Sequence, residues 1–219
     1  KHKREVYLMN TPLADALRPK SLDEVVGQRH LLGEGMVLRR LIESGHIPNL
    51  IFYGPSGVGK TTVARIIAAS TGKLLRRLNG TTCGTADLKE VFDQRDTLDG
   101  RSGILLYLDE IQYLNKKQQQ TLLESIEDGS VTLIASTTEN PYFEVNGALI
   151  SRSVVFELKP LSKEDIYQLI QRAVYDEKKG MGAYGAVIDD DAAEFLADIS
   201  GGDARHALNA IELGVLTTK

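Results

Sequence analysis

The chain has 219 residues, 42% of them apolar and 26% charged, with a net charge of −4 and a pI near 5.6. That length holds one large domain, or a medium domain with a small satellite, and the acidic total makes no demand for nucleic acid, although a ring of acidic subunits can still present a local basic patch. The single cysteine, Cys83, excludes an internal disulfide and favours a reducing compartment, most simply the cytosol; no apolar run reaches the ~18 residues of a membrane span.

KHKREVY at the start is basic and polar and lacks the apolar stretch of a signal peptide. Residues 1–10 read as a flexible leader. TPLADALRPK carries Pro12 and Pro19, which predicts a tethered, partly extended segment rather than one long helix. Ser21 with Glu24 fits a capping box, followed by Val25, Val26 and Gly27. Residues 29–44 read as a broken helix, Leu31, Leu38, Leu41 and Ile42 facing inward and Gly33 and Gly35 interrupting it. On composition this first region is a packing arm.

NLIFYGPSGVGKTTVA follows, and the chain is organised around it. It reads as a buried strand (residues 50–53), a loop with Gly54, Gly57 and Gly59, and a helix opening near Lys60. Gly54, Gly59, Lys60 and Thr61 occupy the fixed places of G-x-x-x-x-G-K-[ST]. Glycines let successive backbone N–H groups curl around a β-phosphate, and the helix N-terminus adds positive potential there. Lys60 then reaches the β/γ-phosphates as a point charge, and the Thr61 hydroxyl meets Mg²⁺. A glycine-rich turn before an ordinary helix is the bland alternative. The apolar strand before the loop and VARIIAAS after it select the phosphate reading.

Beyond the loop, residues 61–70 predict a helix, 74–78 a strand, 87–95 a helix, and 103–110 (GILLYLDE) a strand with a nearly continuous apolar run. Such runs belong to parallel sheets covered on both faces. A helix over 115–126 and strands over 131–137 and 153–158 complete an α/β domain, residues 11–159, with a mostly parallel sheet. After Pro160 only helices are predicted, over 163–179 (capped by Ser162 and Asp165), 190–199 and 204–213. Residues 160–219 thus form a small all-helical domain, with 180–188 as a flexible link.

GILLYLDE delivers Asp109 and Glu110 at a strand end. Alone, such a pair is a solvated edge; beside a phosphate loop it is the magnesium side of a nucleoside triphosphatase. Asp109 binds Mg²⁺ through water and Glu110 is the candidate general base. The strand over 131–137 ends in the polar run 136–140, where Thr138 is the chosen γ-phosphate-sensing hydroxyl against a plain turn or cap. Arg152 and Arg205 are surface cations by default; either could instead stabilise transferred charge, and the residues alone leave this open. Of the basic clusters (residues 1–4, Arg39–Arg40, Arg76–Arg77, Lys116–Lys117), the last follows the carboxylates, where a DNA-facing loop could sit. His46 and His206 lack metal-ligand spacing.

PLADALRPKSLDEVVGQRHLL, IFYGPSGVGKTT, LLYLDEIQYLNKKQQQTLLESIEDG, LIASTTENPYFEVNGALISR and SGGDARHALNAIE together resemble an AAA+ ATPase of the clamp-loader branch. The fourth segment is close to a signature of the RarA/MgsA family, to which the Werner-helicase-interacting ATPases of eukaryotes are related. The resemblance implies an AAA+ P-loop NTPase domain with a five-stranded sheet and a helical lid, using ATP and Mg²⁺. It implies that Arg18, Pro19, Val25, Val26, Gly27 and Gln28 line the adenine site. The phosphate loop would comprise Gly54, Pro55, Ser56, Gly57, Val58, Gly59, Lys60, Thr61 and Thr62. Asp109 and Glu110 form the second nucleotide motif, Thr138 is sensor one, Arg152 a finger for a neighbouring subunit and Arg205 sensor two. It further implies a cytoplasmic, nucleoid-associated, DNA-dependent ATPase of replication forks and recombination-linked repair. Forked, gapped or single-stranded DNA and single-stranded-DNA-binding protein would be its partners. Ser56 stands where many relatives carry a second proline, and neither side chain is needed there. Family members continue into a helical region that makes tetramers, so this stretch resembles the ATPase core of a longer protein and is compatible with a monomer. A clamp-loader subunit or a junction-migration motor would bring a zinc-binding insert or a winged helix after the lid, and an inert nucleotide-binding subunit would lose Lys60 or Glu110.

Overall fold

The computed structural model describes residues 11–218 except 95, 96, 98 and 130. The expected leader, with its basic cluster at residues 1–4, therefore lies outside the described residues, as does residue 95, the predicted end of a helix. The chain divides into two compact units. One comprises Arg29–Gly54 with Lys60–Leu158; the other joins residues 11–28, the loop Pro55–Gly59 and the chain from Lys159 onward.

Pro12 precedes one turn of helix, α1 (Leu13–Ala16), and Pro19 prevents its extension. A three-residue 3-10 turn, Leu22–Glu24, follows. The expected Ser21–Glu24 capping box is absent. So short a turn presents no α-helical N-terminus to cap, and the Glu24 carboxylate instead accepts from the Lys20 amide at 3.1 Å and the Lys179 ammonium at 3.2 Å.

In the α/β unit the broken helix is α2 (Arg29–Leu32) and α3 (Val37–Ser44). Leu31, Leu38 and Ile42 are buried, and the break falls at the two predicted glycines. Strands and helices then alternate: β1 (Leu50–Tyr53), α4 (Lys60–Thr71), β2 (Leu74–Asn79), α5 (Thr85–Asp93), β3 (Ile104–Asp109), α6 (Lys116–Glu127), β4 (Val131–Thr137), α7 (Pro141–Glu144), α8 (Gly147–Ile150) and β5 (Val154–Glu157). Helix α5 starts two residues before the predicted Asp87, because that carboxylate turns back to accept from the Gly84 amide at 2.6 Å. Asn115 and Gln118 cap α6 reciprocally, at 2.9 and 2.8 Å. Helices α7 and α8 leave no periodic signal, since each is a single turn; both are started by asparagines, Asn140 and Asn146, whose side chains accept an amide two residues on.

The five strands lie in the order β2-β3-β4-β1-β5, every pairing parallel. The run Ile104–Leu108 is buried throughout, as a central strand covered on both faces requires. Leu106, Leu108, Leu122, Leu133 and Leu149 belong to one apolar cluster with Ile51. Each such side chain contributes roughly 1.5–3 kcal/mol by leaving water.

The other unit holds α9 (Lys163–Tyr175), α10 (Asp190–Ile199) and α11 (Ala204–Thr217). Ser162 accepts from the Asp165 amide at 3.1 Å and starts α9 as predicted. The helix ends four residues before the predicted Lys179, because the Asp176 side chain takes the amides of Lys178 and Lys179 at 2.7 and 2.9 Å. Helix α11 runs past the predicted Leu213 through Gly214. Leu13 and Leu17 lie in the same apolar cluster as Ile166, Ile170, Ala207 and Ile211, which gives the packing arm its partner. Met181 is buried in that cluster too, so the predicted link at 180–188 contributes to the core.

Candidate functional site

Parallel strands deliver their C-terminal ends to one edge of the sheet, and β4 lies between β1 and β3 there. Tyr53 pairs with Thr137, the Gly54 amide donates to the Thr137 carbonyl at 3.2 Å, and Leu108 pairs with Ala135. Register alone thus brings Gly54, Ser136 and Asp109 to a common edge. Helix α4 begins at Lys60, on the glycine loop's far side.

Within the loop, Gly54, Gly57 and Gly59 all have positive φ, of 143°, 71° and 104°. A Cβ on Gly54 would sit 2.1 Å from the Leu158 carbonyl oxygen, and one on Gly57 would sit 1.8 Å from the Asp203 carboxylate. Neither position admits a side chain. The Lys60 side chain is buried and its ammonium donates to the Gly54 carbonyl at 2.6 Å, closing the loop across its ends. Pro55 and Ser56 are exposed, whereas Val58 is buried. The Ala204 amide at the start of α11 donates to the Gly57 carbonyl at 3.3 Å, and Asp203 caps that helix through the His206 amide at 3.1 Å. A loop of alternating left-handed glycines, followed by a helix N-terminus, suits a polyphosphate.

Asp109 and Glu110 are both half-buried at the end of β3. Glu110 holds a left-handed backbone, φ 54°, costly for a residue with a Cβ, and its carboxylate accepts from the Gln112 side-chain amide at 2.5 Å. Asp109 accepts from the Ser136 hydroxyl at 2.5 Å. Between them and the loop lies Tyr107, fully buried in β3, its hydroxyl 2.8 Å from Ser136 Oγ, 3.0 Å from Thr61 Oγ1 and 3.3 Å from Asp109 Oδ1. Burial, reinforced by the Asp109 charge, pushes the phenol up to about 12, against the pull of the Ser136 and Thr61 hydrogen bonds. It stays a neutral donor. Arg77 lies over its ring at 5.9 Å.

Oxygen donors of this kind, one hydroxyl and one carboxylate, fit a hard cation such as Mg²⁺, which uses few protein carboxylates beside phosphate and water. Among the described residues no group of three or more His, Cys, Asp or Glu comes together as an all-protein metal cage.

Thr138 is exposed just past the end of β4, and Thr62 is half-buried in the first turn of α4. Arg152 is ion-paired with Glu127 at 2.6 Å, and its guanidinium also donates to the Ala148 carbonyl at 3.1 Å and Ser151 Oγ at 3.2 Å. Arg205 is exposed in the first turn of α11. Arg18, Pro19, Val25, Val26 and Gly27 are half-buried, and Arg18 is ion-paired with Asp15. Gln28 is buried with φ 53°; its amide nitrogen donates to the carbonyls of Val58 and Lys159 at 3.2 and 2.7 Å, and its oxygen accepts from the Lys159 amide at 3.0 Å. Its polar head is thus committed to backbone, and losing it would strand buried groups at about 1–3 kcal/mol each. His46 and His206 are exposed. Cys83 is buried, and burial pushes its thiol up.

The family model for ATPases associated with various cellular activities matches residues 50–161, from β1 through β5 to the start of the helical unit. The chain belongs to this AAA family. It is 43% identical over 208 residues to replication-associated recombination protein A of Bacillus subtilis, covering 95% of this chain and 49% of that protein. Against the protein of the same name from Haemophilus influenzae it is 45% identical over 206 residues, 93% of this chain and 46% of the relative. The chain therefore spans about half the length of these relatives. Among solved structures, the Holliday junction branch migration motor RuvB of Thermotoga maritima matches with a TM-score of 0.74 at 29% identity, covering 90% of this chain and 64% of that one. The likeness to the RarA/MgsA proteins read from the sequence thus holds across nearly the whole chain.

Tyr107, Gln112 and Asp203 are not among the residues expected at the site, and Ser136 lies in the polar run from which Thr138 is preferred. Tyr107 carried a signal: it is a polar-tipped residue inside the apolar run that ends in Asp109 and shares a strand face with Asp109, two positions on. Gln112 carried none, because it reaches Glu110 through a turn; Asp203 carried the signal of an acidic cap before a predicted helix.

Proposed function

We propose that this AAA-family chain binds ATP with Mg²⁺ and hydrolyses it to ADP and phosphate. In the whole protein this hydrolysis is coupled to DNA at replication forks and in recombination-linked repair. The observation that carries the reading is the meeting of Lys60, closed on Gly54, and the adjacent Thr61 with Asp109 at one sheet edge, Thr61 and Asp109 being joined through Tyr107 and Ser136. The loop amides from Ser56 to Thr62 would bind phosphate oxygens, with the Lys60 ammonium as their point charge. Thr61 and Asp109 would hold Mg²⁺, Asp109 through water. The bound cation would neutralise charge on the phosphates. Glu110 would orient and deprotonate the attacking water, and the Thr138 hydroxyl would report the γ-phosphate. Arg205 would sense it from the helical unit, and Arg152 would serve a neighbouring subunit. Arg18, Pro19, Val25, Val26 and Gly27 would line the adenine site. Gln28, its amide already committed to backbone, would brace that wall without reading the base.

The names of the relatives support a role in replication-associated recombination, and the sequence resemblance supports a protein acting on forked, gapped or single-stranded DNA. That resemblance also supports a homo-oligomer, tetrameric at full length, working with single-stranded-DNA-binding protein in the cytoplasm at the nucleoid. Lys60 and Glu110 are both present, against an inert nucleotide-binding subunit. ATP hydrolysis measured with and without forked or gapped DNA tests the proposal, on this chain and on the full-length protein. The full-length protein should hydrolyse ATP and respond severalfold to forks and gaps; the isolated chain should turn over slowly. Full-length turnover indifferent to every DNA would overturn the coupling, a response confined to four-way junctions would favour a branch-migration motor, and no turnover at all would overturn the enzyme.

A further inference from the structure

The phenol of Tyr107 is a buried polar group in the strand that ends in Asp109, and the functional reading above gives it no task. Three oxygens surround it: Thr61 Oγ1 at 3.0 Å, Ser136 Oγ at 2.8 Å and Asp109 Oδ1 at 3.3 Å, while Ser136 Oγ lies 2.5 Å from the same Asp109 oxygen. Counting protons orders the set. Each hydroxyl has one hydrogen, and the carboxylate has none to give. The shortest contact assigns the Ser136 proton to Asp109. Tyr107 must then donate to Ser136, because otherwise two oxygens would face each other at 2.8 Å with no hydrogen between them. With the phenol proton so placed, the 3.0 Å contact requires Thr61 to donate to Tyr107. The result is a one-way relay, Thr61 to Tyr107 to Ser136 to Asp109.

This order has a consequence at both ends. Thr61 gives its proton away into the protein, leaving its lone pairs for a cation. Asp109 Oδ1 accepts from Ser136, which fixes its rotamer and leaves Oδ2 outside these bonds, with the Tyr107 phenol 3.3 Å from Oδ1. All four residues belong to the same compact unit, and the relay joins α4, β3 and β4. We propose that Tyr107, with Ser136, is a positioning residue that orders Thr61 and Asp109 as a pair for Mg²⁺, in place of a direct contact between them. The inference rests on the ATP·Mg²⁺ reading above. It extends the rule that partners behind a metal's ligands fix their orientation and set its affinity.

The test uses Tyr107→Phe, which keeps the buried ring and removes the relay's centre, and Ser136→Ala, which removes its last link. Mn²⁺ serves as the paramagnetic probe, titrated against this chain with ADP and read by electron paramagnetic resonance. ADP affinity in excess EDTA is measured alongside. Removing partners behind a metal's ligands costs roughly 10- to 100-fold in affinity, so Tyr107→Phe should weaken ADP-dependent Mn²⁺ binding about tenfold. Its ADP affinity in EDTA should stay within about twofold of wild type, a split that general damage to the fold would not produce. Ser136→Ala should weaken Mn²⁺ binding less, since Tyr107 can still reach Asp109 directly. The double variant should be no worse than Tyr107→Phe alone, the non-additivity expected of one connected chain. Unchanged Mn²⁺ affinity in both single variants, or additive losses, would overturn this inference alone. Absence of ADP-dependent Mn²⁺ binding in the wild type would overturn the nucleotide reading and this inference with it.

Discussion

Glu110→Gln is expected to slow ATP hydrolysis by about 10²–10⁴-fold, the usual worth of a positioned general base, while leaving equilibrium nucleotide binding near normal. The substitution keeps the side chain's size, and its amide oxygen can still accept from Gln112, which now lies 2.5 Å from the Glu110 carboxylate. It removes only the ability to take a proton. The left-handed backbone at residue 110, φ 54°, supports the same role, since such strain persists where the surrounding structure fixes a side chain's direction. Single-turnover hydrolysis beside a fluorescent-ATP titration separates the two effects. Binding lost in parallel with turnover would contradict the base role and make Glu110 a structural carboxylate.

Arg152→Ala carries the other large expectation, a loss of about 10³–10⁵-fold in turnover with ATP affinity retained, as for an arginine supplied to a neighbour's transferred phosphate. Arg152 is nearly half-exposed and held by Glu127, so its removal should cost little stability. A mixture of full-length subunits gives the decisive reading. Lys60→Ala subunits supply a finger without a working site, and Arg152→Ala subunits supply a site without a finger. Together they should regain hydrolysis that neither has alone. A mixture that assembles yet stays inactive would leave Arg152 as a surface cation paired with Glu127.

Much of the fold was legible because its signals are local and strong. The apolar run ending in Asp109 marks a central parallel strand, and the glycines around Lys60 mark a strand-to-helix loop. Gly33 and Gly35 mark a real break between α2 and α3. Failures came where a side chain's partner is distant in sequence or its element is short. Ser21 and Glu24 match a capping pattern, but no α-helix follows to be capped, and Glu24 finds Lys179 instead. Asp176 ends α9 through a turn that helical periodicity does not register. The same limit applies to the site. Lys60 and Thr61 lie in a fixed pattern and Asp109 and Glu110 end an apolar run, so the letters alone single them out as candidates. Ser136 reaches Tyr107 and Asp109 through strand register, which a single chain of letters does not display, whereas Tyr107 shows its face in the letters but not its partners. Gln28 was read toward the adenine, yet its carboxamide is used on Val58 and Lys159, and Lys159 is more than a hundred residues away.

The central claim is that the Gly54–Thr61 loop binds ATP through Lys60. Lys60 is buried, with its ammonium held on the Gly54 carbonyl, so it is preset at the loop rather than waving in solvent. Equilibrium titration of wild type and Lys60→Ala with a fluorescent ATP analogue and Mg²⁺ measures this directly. A charge-assisted hydrogen bond contributes roughly 1.5–3 kcal/mol, and Lys60 is expected to meet two phosphates. Lys60→Ala should therefore bind at least about tenfold more weakly, 1.4 kcal/mol being one factor of ten, while the fold stays intact. Equal affinity of the two proteins for ATP would contradict the account.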